Sequence, residues 1–124
     1  MNDDIVISQG PHKEGEPVPV NISGRVNIEN SKQIAKFFDS LFAQNYFRID
    51  VDLTETVTVS SAGWREFTFA QKKCKENNGE IQLVLSNKSR TAEVFEMTGL
   101  EEFFVVTFVS ASMGIAGAEN EEAG

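Results

Sequence analysis

Two adjacent hydroxyls, Ser60 and Ser61, stand in the stretch Val57-Thr58-Val59-Ser60-Ser61-Ala62-Gly63-Trp64-Arg65. The stretch follows the run Ile49-Asp50-Val51-Asp52-Leu53 and opens a segment with helical spacing. The serines are therefore expected where a strand-side loop hands over to a helix N-terminus. Such a place is rich in unpaired backbone N–H groups and carries the positive end of the helix dipole. A phosphate added there is favoured by the helix, and it changes the charge of any surface docked nearby. This is the chemistry of a switch more than of a catalyst. Two roles compete for Ser61: phosphate acceptor, and plain N-cap whose hydroxyl accepts a backbone N–H for about 0.5–2 kcal/mol. One residue can hold both. Ser60 is the second candidate acceptor and an alternative cap.

The neighbours extend the candidate binding surface. Ala62 belongs to the serine loop itself. Gly63 has no Cβ, so either a partner backbone approaches closely or the chain packs tightly on itself. Trp64 falls on the first helical turn, where an exposed ring is a typical interface anchor and an inward ring folds over the sheet edge. Arg65 pairs a phosphate or a partner carboxylate, or is a solvated helix charge. Asn27 to Asn30 should lie beside Ser61, because strand C-termini and helix N-termini gather on one edge of a parallel sheet.

Enzyme readings find little support. No base is in sight for Ser61, since His12, the single histidine, sits in a predicted loop far along the chain. No glycine-rich phosphate loop of the Walker type is present, and no Cys or second His offers metal-ligand spacing. Neither cofactor nor metal is expected. Nineteen acidic residues against eleven basic ones leave a net charge of -8. That balance argues against a nucleic-acid or anionic-membrane binder, because both depend on Lys and Arg. Cys74 is the lone cysteine, which excludes an intrachain disulfide, and its helical spacing predicts a buried, inert thiol. The acidic start Met1-Asn2-Asp3-Asp4 lacks a signal-peptide pattern, and no apolar run approaches the roughly 20 residues of a membrane span. A cytoplasmic protein that acts through other proteins is the expectation.

The elements that must position the serines are legible from periodicity. Ile5-Val6-Ile7 reads as a short strand. Val18, Val20 and Ile22 alternate with polar positions, with Pro19 at the strand start or on an edge. Asn30-Ser31 offers an N-cap, and Ile34, Phe37, Phe38, Leu41 and Phe42 make an amphipathic helix. Arg48 to Leu53 reads as a central strand, with Asp50 and Asp52 as strand-end or surface charges. The helix after Ser61 turns Phe67, Ala70 and Cys74 inward, and Asn78-Gly79 ends it in a left-handed cap. Ile81 to Leu85 is a strand, and Ser89 to Thr98 a helix with Ala92 and Phe95 inward, capped by Gly99. Phe103 to Val109 is a last strand, followed by small and acidic residues with a short helix over 110–116. Alternating strands and helices imply crossovers and a mostly parallel α/β sheet, mixed if the first two strands pair antiparallel, with about 4–5 strands and about 3–4 helices.

Three pieces, in order, resemble the STAS domain family, the fold of bacterial anti-sigma factor antagonists. Val20-Asn21-Ile22-Ser23-Gly24-Arg25-Val26-Asn27 is similar to the family strand ending Leu-Ser-Gly-Glu-Leu-Asp. Val51-Asp52-Leu53 with Val59-Ser60-Ser61-Ala62-Gly63 resembles its strand and Asp-Ser-Ser-Gly or Ser-Ser-Ala-Gly loop. Leu83-Val84-Leu85 with Val94-Phe95-Glu96-Met97-Thr98-Gly99-Leu100 resembles its strand and the helix ending Thr-Gly-Leu. The resemblance spans about Asp4 to Val109, with a domain over 1–113 and an acidic tail over 114–124. It implies a non-enzymatic module whose Ser61 is phosphorylated by a serine kinase that is also an anti-sigma factor, of histidine-kinase-like ATPase fold. The unphosphorylated antagonist captures that kinase and frees a sigma factor. The implied state is monomer or weak dimer. Two positions depart from the family: Ser60 and Asn27 stand where acids are usual. A second class of STAS protein, a scaffold or a docking subunit for a signalling assembly or a transporter ATPase, needs no phosphorylation. A third reading is a small-ligand or nucleotide-sensing domain.

Overall fold

The sheet is organised about β2 (Val18–Val26), in which Val18, Val20, Ile22 and Val26 are buried. The computed structural model describes residues 4–110. The chain runs β1 (Ile5–Gln9), β2, α1 (Ser31–Ala43), β3 (Arg48–Asp52), β4 (Thr56–Val59), α2 (Ser61–Glu76), β5 (Glu80–Ser86), α3 (Arg90–Thr98), a 3-10 turn (Leu100–Glu102) and β6 (Val105–Val109). The strand order is β1-β2-β3-β5-β6, with β4 also on β2. β1 pairs antiparallel and every other pair is parallel, so the sheet is mixed and mostly parallel, as expected. Residues 111–124 lie outside the described part, and with them the expected short helix and the acidic tail.

Register gives the sheet two faces. Gln9, Val20, Val51, Leu83 and Val106 form one row across it, and Ser8, Asn21, Asp52, Val84 and Thr107 the next. Side chains of successive residues point to opposite faces. The first row carries fully buried Val20, Val51 and Leu83 under the helices. Edge-to-face Phe38–Phe67 joins α1 to α2, and tilted Trp64–Phe95 joins α2 to α3, so the three helices share that face. The second row faces away from them, on the side that carries Asp50. Burial raises the Asp50 carboxyl above its usual range, opposed by the nearby Arg48 guanidinium.

The sixth strand is a departure from the sequence reading. β3 stops at Asp52, whose Oδ1 accepts from the Thr54 backbone N–H at 2.8 Å and from its hydroxyl at 2.6 Å. This Asx-type turn breaks the strand. The chain then resumes as β4 along Gly24–Val26, on the same flank of β2 that β3 occupies at Val18–Asn21. Asp52 is thus a turn-former. The last strand begins at Val105 instead of Phe103, because Phe103 closes the 3-10 turn onto the Leu100 carbonyl at 2.8 Å.

Helix ends follow the expected chemistry with one correction, at the start of α1. At the end of α2 the expected left-handed cap is taken by Asn78, at φ 64. Gly79 is needed for another reason: a Cβ there would run into the Phe47 carbonyl. At the start of α1, Asn30 holds the N-cap position without capping the helix through its side chain. Gly99 does take the left-handed cap, at φ 76.

A fully buried glutamine fills a gap in the sheet. Gln71, on the inward stripe of α2, accepts from the Ile81 N–H at 2.7 Å and donates to the Phe103 carbonyl at 2.9 Å. The β5–β6 ladder begins only at Gln82, so Ile81 lies just before it. Gln71→Leu keeps the volume and orphans both backbone groups, at about 1–3 kcal/mol each. We expect Gln71→Leu to lower the urea midpoint by about 2–4 kcal/mol equivalent, with an unchanged slope. Cys74, on the same stripe, is fully buried; burial, then the Glu80 charge, pushes its thiol up to about 12. It is not a nucleophile at neutral pH.

Candidate functional site

Strand β2 and strand β4 end side by side, Val26 against Val59, and the Ser60 N–H donates to the Val26 carbonyl at 2.9 Å. The Asn27 loop and the serine loop are therefore adjacent on one sheet edge, as the topology argument required. The structure then separates the two hydroxyls. Ser60 is extended, at φ -73 and ψ 168, and its Oγ accepts from the Gly63 N–H at 3.1 Å. Ser60 is the N-cap of α2. Ser61 is the first helical residue and is exposed, with its hydroxyl free of capping duty. The first turn of α2 carries no carboxylate, so nothing in it opposes an anion at the dipole's positive end. Arg65, one turn on and exposed, shares the helix face of Ser61.

Asn27 is occupied locally. Its Oδ1 accepts from the Asn30 N–H at 2.7 Å, while Asn30 Oδ1 accepts from the Asn27 N–H at 2.8 Å. The two side chains thus close the turn before α1 by reciprocal bonds to backbone N–H groups. Asn30 Nδ2 also donates to the Arg25 carbonyl at 2.8 Å, which ties the loop to the end of β2. The loop is held in shape and presents Ile28, 71% exposed, on the same edge as Ser61.

Gly63 and Trp64 leave the candidate surface. A Cβ on Gly63 would sit 2.7 Å from Val26 Cγ1 and 2.8 Å from Val59 Cγ1, so its absence lets α2 close onto β2 and β4. The Trp64 ring is 4% exposed, 5.7 Å from Phe67 and 5.2 Å from Phe95 between centroids. The anchor reading of Trp64 fails because α3 covers it. Ser60, Ser61, Ala62, Arg65 and Asn27 keep some accessible surface, with Ser61 and Arg65 the most open.

Sequence reasoning missed two contributors, Thr56 and Thr91, and placed Ile28 only as one of the Asn27–Asn30 loop. Ile28 is an apolar residue in an otherwise polar loop, Asn27-Ile28-Glu29-Asn30, and that contrast was its only signal. Thr56 and Thr91 are buried. The Thr91 hydroxyl, from α3, lies 2.8 Å from the Thr56 carbonyl, and the Thr56 hydroxyl donates to the Ile22 carbonyl at 2.7 Å. Together they pin the strand that delivers Ser60 and Ser61. Periodicity cannot reveal a long-range hydroxyl bond. His12 is remote from the serines: its Nε2 bonds the Glu16 carbonyl at 2.9 Å and its ring packs on Tyr46, beside the start of β2 and β3.

The family model described as Mlab, STAS domain matches residues 10–109. The chain belongs to the STAS domain family. Solved structures repeat this STAS domain's fold. An anti-sigma factor antagonist from Mycobacterium paratuberculosis is similar at TM-score 0.73 and 18% identity, over 86% of this chain and 87% of that one. A Thermotoga maritima protein provisionally described as an anti-sigma factor antagonist aligns at TM-score 0.63 and 21% identity, over 78% and 84%. An uncharacterised Shewanella loihica protein with a SpoIIAA-like fold aligns at TM-score 0.55 and 13% identity, over 88% and 90%. No curated protein sequence matches the chain. Among the described residues, no helix of the STAS domain is long and apolar enough to cross a membrane.

Proposed function

We propose that this STAS domain is an anti-sigma factor antagonist, a non-enzymatic binding module switched by phosphorylation of Ser61. The observation that carries the reading is the division of labour between the serines. Ser60 caps the helix and Ser61 stands exposed beside it with no carboxylate in the turn. A phosphate on Ser61 meets the helix dipole favourably and places about -1.5 to -2 charges on a docking edge. The partner is an anti-sigma factor that is also a serine kinase of histidine-kinase-like ATPase fold. It docks on the edge formed by the Asn27–Asn30 loop, Ser61 and Arg65. Unphosphorylated antagonist captures it and releases a sigma factor; phosphorylated antagonist does not.

The two departures from the family pattern fit this reading in hydrogen-bond terms. Ser60 accepts the Gly63 N–H and Asn27 accepts the Asn30 N–H, as aspartates at those positions can. What changes is charge: two carboxylates are absent from the surroundings of Ser61. The same departures favour a second reading, a docking subunit that binds constitutively and never carries phosphate.

Phosphopeptide mapping of the protein from its native cells tests the choice. Trypsin isolates Ile49–Arg65, which contains both serines. Phosphate on Ser61 that disappears in Ser61→Ala supports the switch. An unmodified peptide under both growth and stress conditions favours the constitutive subunit.

A further inference from the structure

Among the described residues, strand β6 is an edge of the sheet, paired only with β5. Its sequence is Val-Val-Thr-Phe-Val, with no charge and no proline. Natural edges are usually blunted by such residues, and an unblunted one is a template for another strand. The bonding direction of β6 follows from one contact: the Val109 carbonyl accepts from the Asn87 N–H at 2.6 Å, next to β5. Backbone groups of alternate residues point to the same side of a strand. Val105, Thr107 and Val109 therefore bond toward β5, and Val106 and Phe108 aim their N–H and C=O groups outward. Among the described residues none meets them.

We infer that this edge pairs antiparallel with the β6 of a second copy, about a two-fold axis at Thr107. The sequence is self-complementary in that register. Val106 opposes Phe108 of the other copy, and these are the residues whose free backbone groups then exchange both hydrogen bonds. Thr107 opposes Thr107, a favourable cross-strand pair. Val105 opposes Val109 on the open face. No charged residue lies in the seam, although the chain carries -8. Apolar side chains are exposed along and beside the strand: Phe103, Val105 and Phe108 are 37–41% exposed and Met97, at the end of α3, 84%. An isologous contact of this kind closes on itself and stops at two chains. Antagonist function does not enter the argument, and the Ser61 loop is no part of the seam.

Analytical ultracentrifugation of the full chain from about 1 µM to 1 mM, spanning weak self-association, tests this. The expected result is a rise from the monomer mass to twice that mass. Hydrogen exchange should show the Val106 and Phe108 amides gaining protection with concentration, while Val105 and Thr107 are protected throughout. Thr107→Lys places like charges opposite each other, and Val106→Pro removes an outward N–H. Each should shift the dimerisation midpoint upward at least ten-fold, with far-UV dichroism unchanged in Thr107→Lys. A protein that stays monomeric throughout overturns the inference, whatever else covers the edge. So does a dimer that is indifferent to Thr107→Lys and shows no concentration-dependent protection at Val106 and Phe108.

Discussion

Ser61→Asp is expected, under the proposed antagonist function, to weaken capture of a kinase partner by about ten- to hundred-fold, which is about 1.4–2.7 kcal/mol, while Ser61→Ala binds as well as wild type or better. The fold is not the source of that loss. A carboxylate at the first helical position of α2 meets the positive end of the dipole, which stabilises the helix by about 0.3–1 kcal/mol. Thermal stability of Ser61→Asp should therefore hold or rise slightly while affinity falls. Ser60→Ala gives the opposite signature. It removes the hydroxyl that accepts the Gly63 N–H, at about 0.5–2 kcal/mol of stability, and leaves the exposed Ser61 in place. Titration of each variant against the partner by calorimetry, beside its melting curve, separates cap from switch. If Ser61→Asp and Ser61→Ala both bind as wild type does, phosphate at Ser61 does not control docking, and the constitutive subunit is the better account.

Most elements were legible because their periodicity is strong. The stripe Ile34, Phe38 and Leu41 was readable as a buried helix face, and the alternation Val18, Val20, Ile22 as a strand with one covered side. What periodicity left open shares a cause: it was decided by contacts distant in sequence. Thr56-Val57-Thr58-Val59 carries a strand pattern too short to separate from the run before it, and only pairing with Gly24–Val26 makes it β4. Asn78-Gly79 contains two residues able to turn left-handed, and the nearness of the Phe47 carbonyl assigns the turn to Asn78 and the missing Cβ to Gly79. Gln71 sits at helical spacing with Trp64, Phe67 and Cys74. Its role appears only once β5 is found to offer the Ile81 N–H. The same limit applies at the site. Sequence placed the Asn27 loop beside Ser61, since topology alone does that. Whether Trp64 faced out depended on Phe95, about thirty residues away, whose helix closes over it.

That burial ties the fold at Trp64 to the edge that presents Ser61. Trp64→Ala should cost about 3–5 kcal/mol, a large part of the 5–15 kcal/mol that holds a domain together. Trp64→Phe should cost much less, for a reason beyond size. The indole Nε1–H is buried, and no acceptor among the described residues receives it. An orphaned donor of this kind costs about 1–3 kcal/mol, and phenylalanine removes it together with the second ring. The lost apolar contact and the removed penalty oppose each other, leaving a net change of about 1 kcal/mol or less. The rings of Phe67 and Phe95 still have an aromatic face to pack against. Urea unfolding of the two variants at constant slope measures the difference; equal losses would mean that the indole N–H is satisfied in solution. The consequence for docking follows from position. Trp64 lies three residues beyond Ser61, and its ring fixes the start of α2 against α3. Trp64→Ala should therefore loosen the first turn and weaken partner capture even under conditions where the protein stays folded. Trp64→Phe, touching no exposed atom of the edge, should capture the partner as wild type does. A loss of capture in Trp64→Phe at unchanged stability would return the indole to the interface, and would make the buried position of its ring a state the partner displaces.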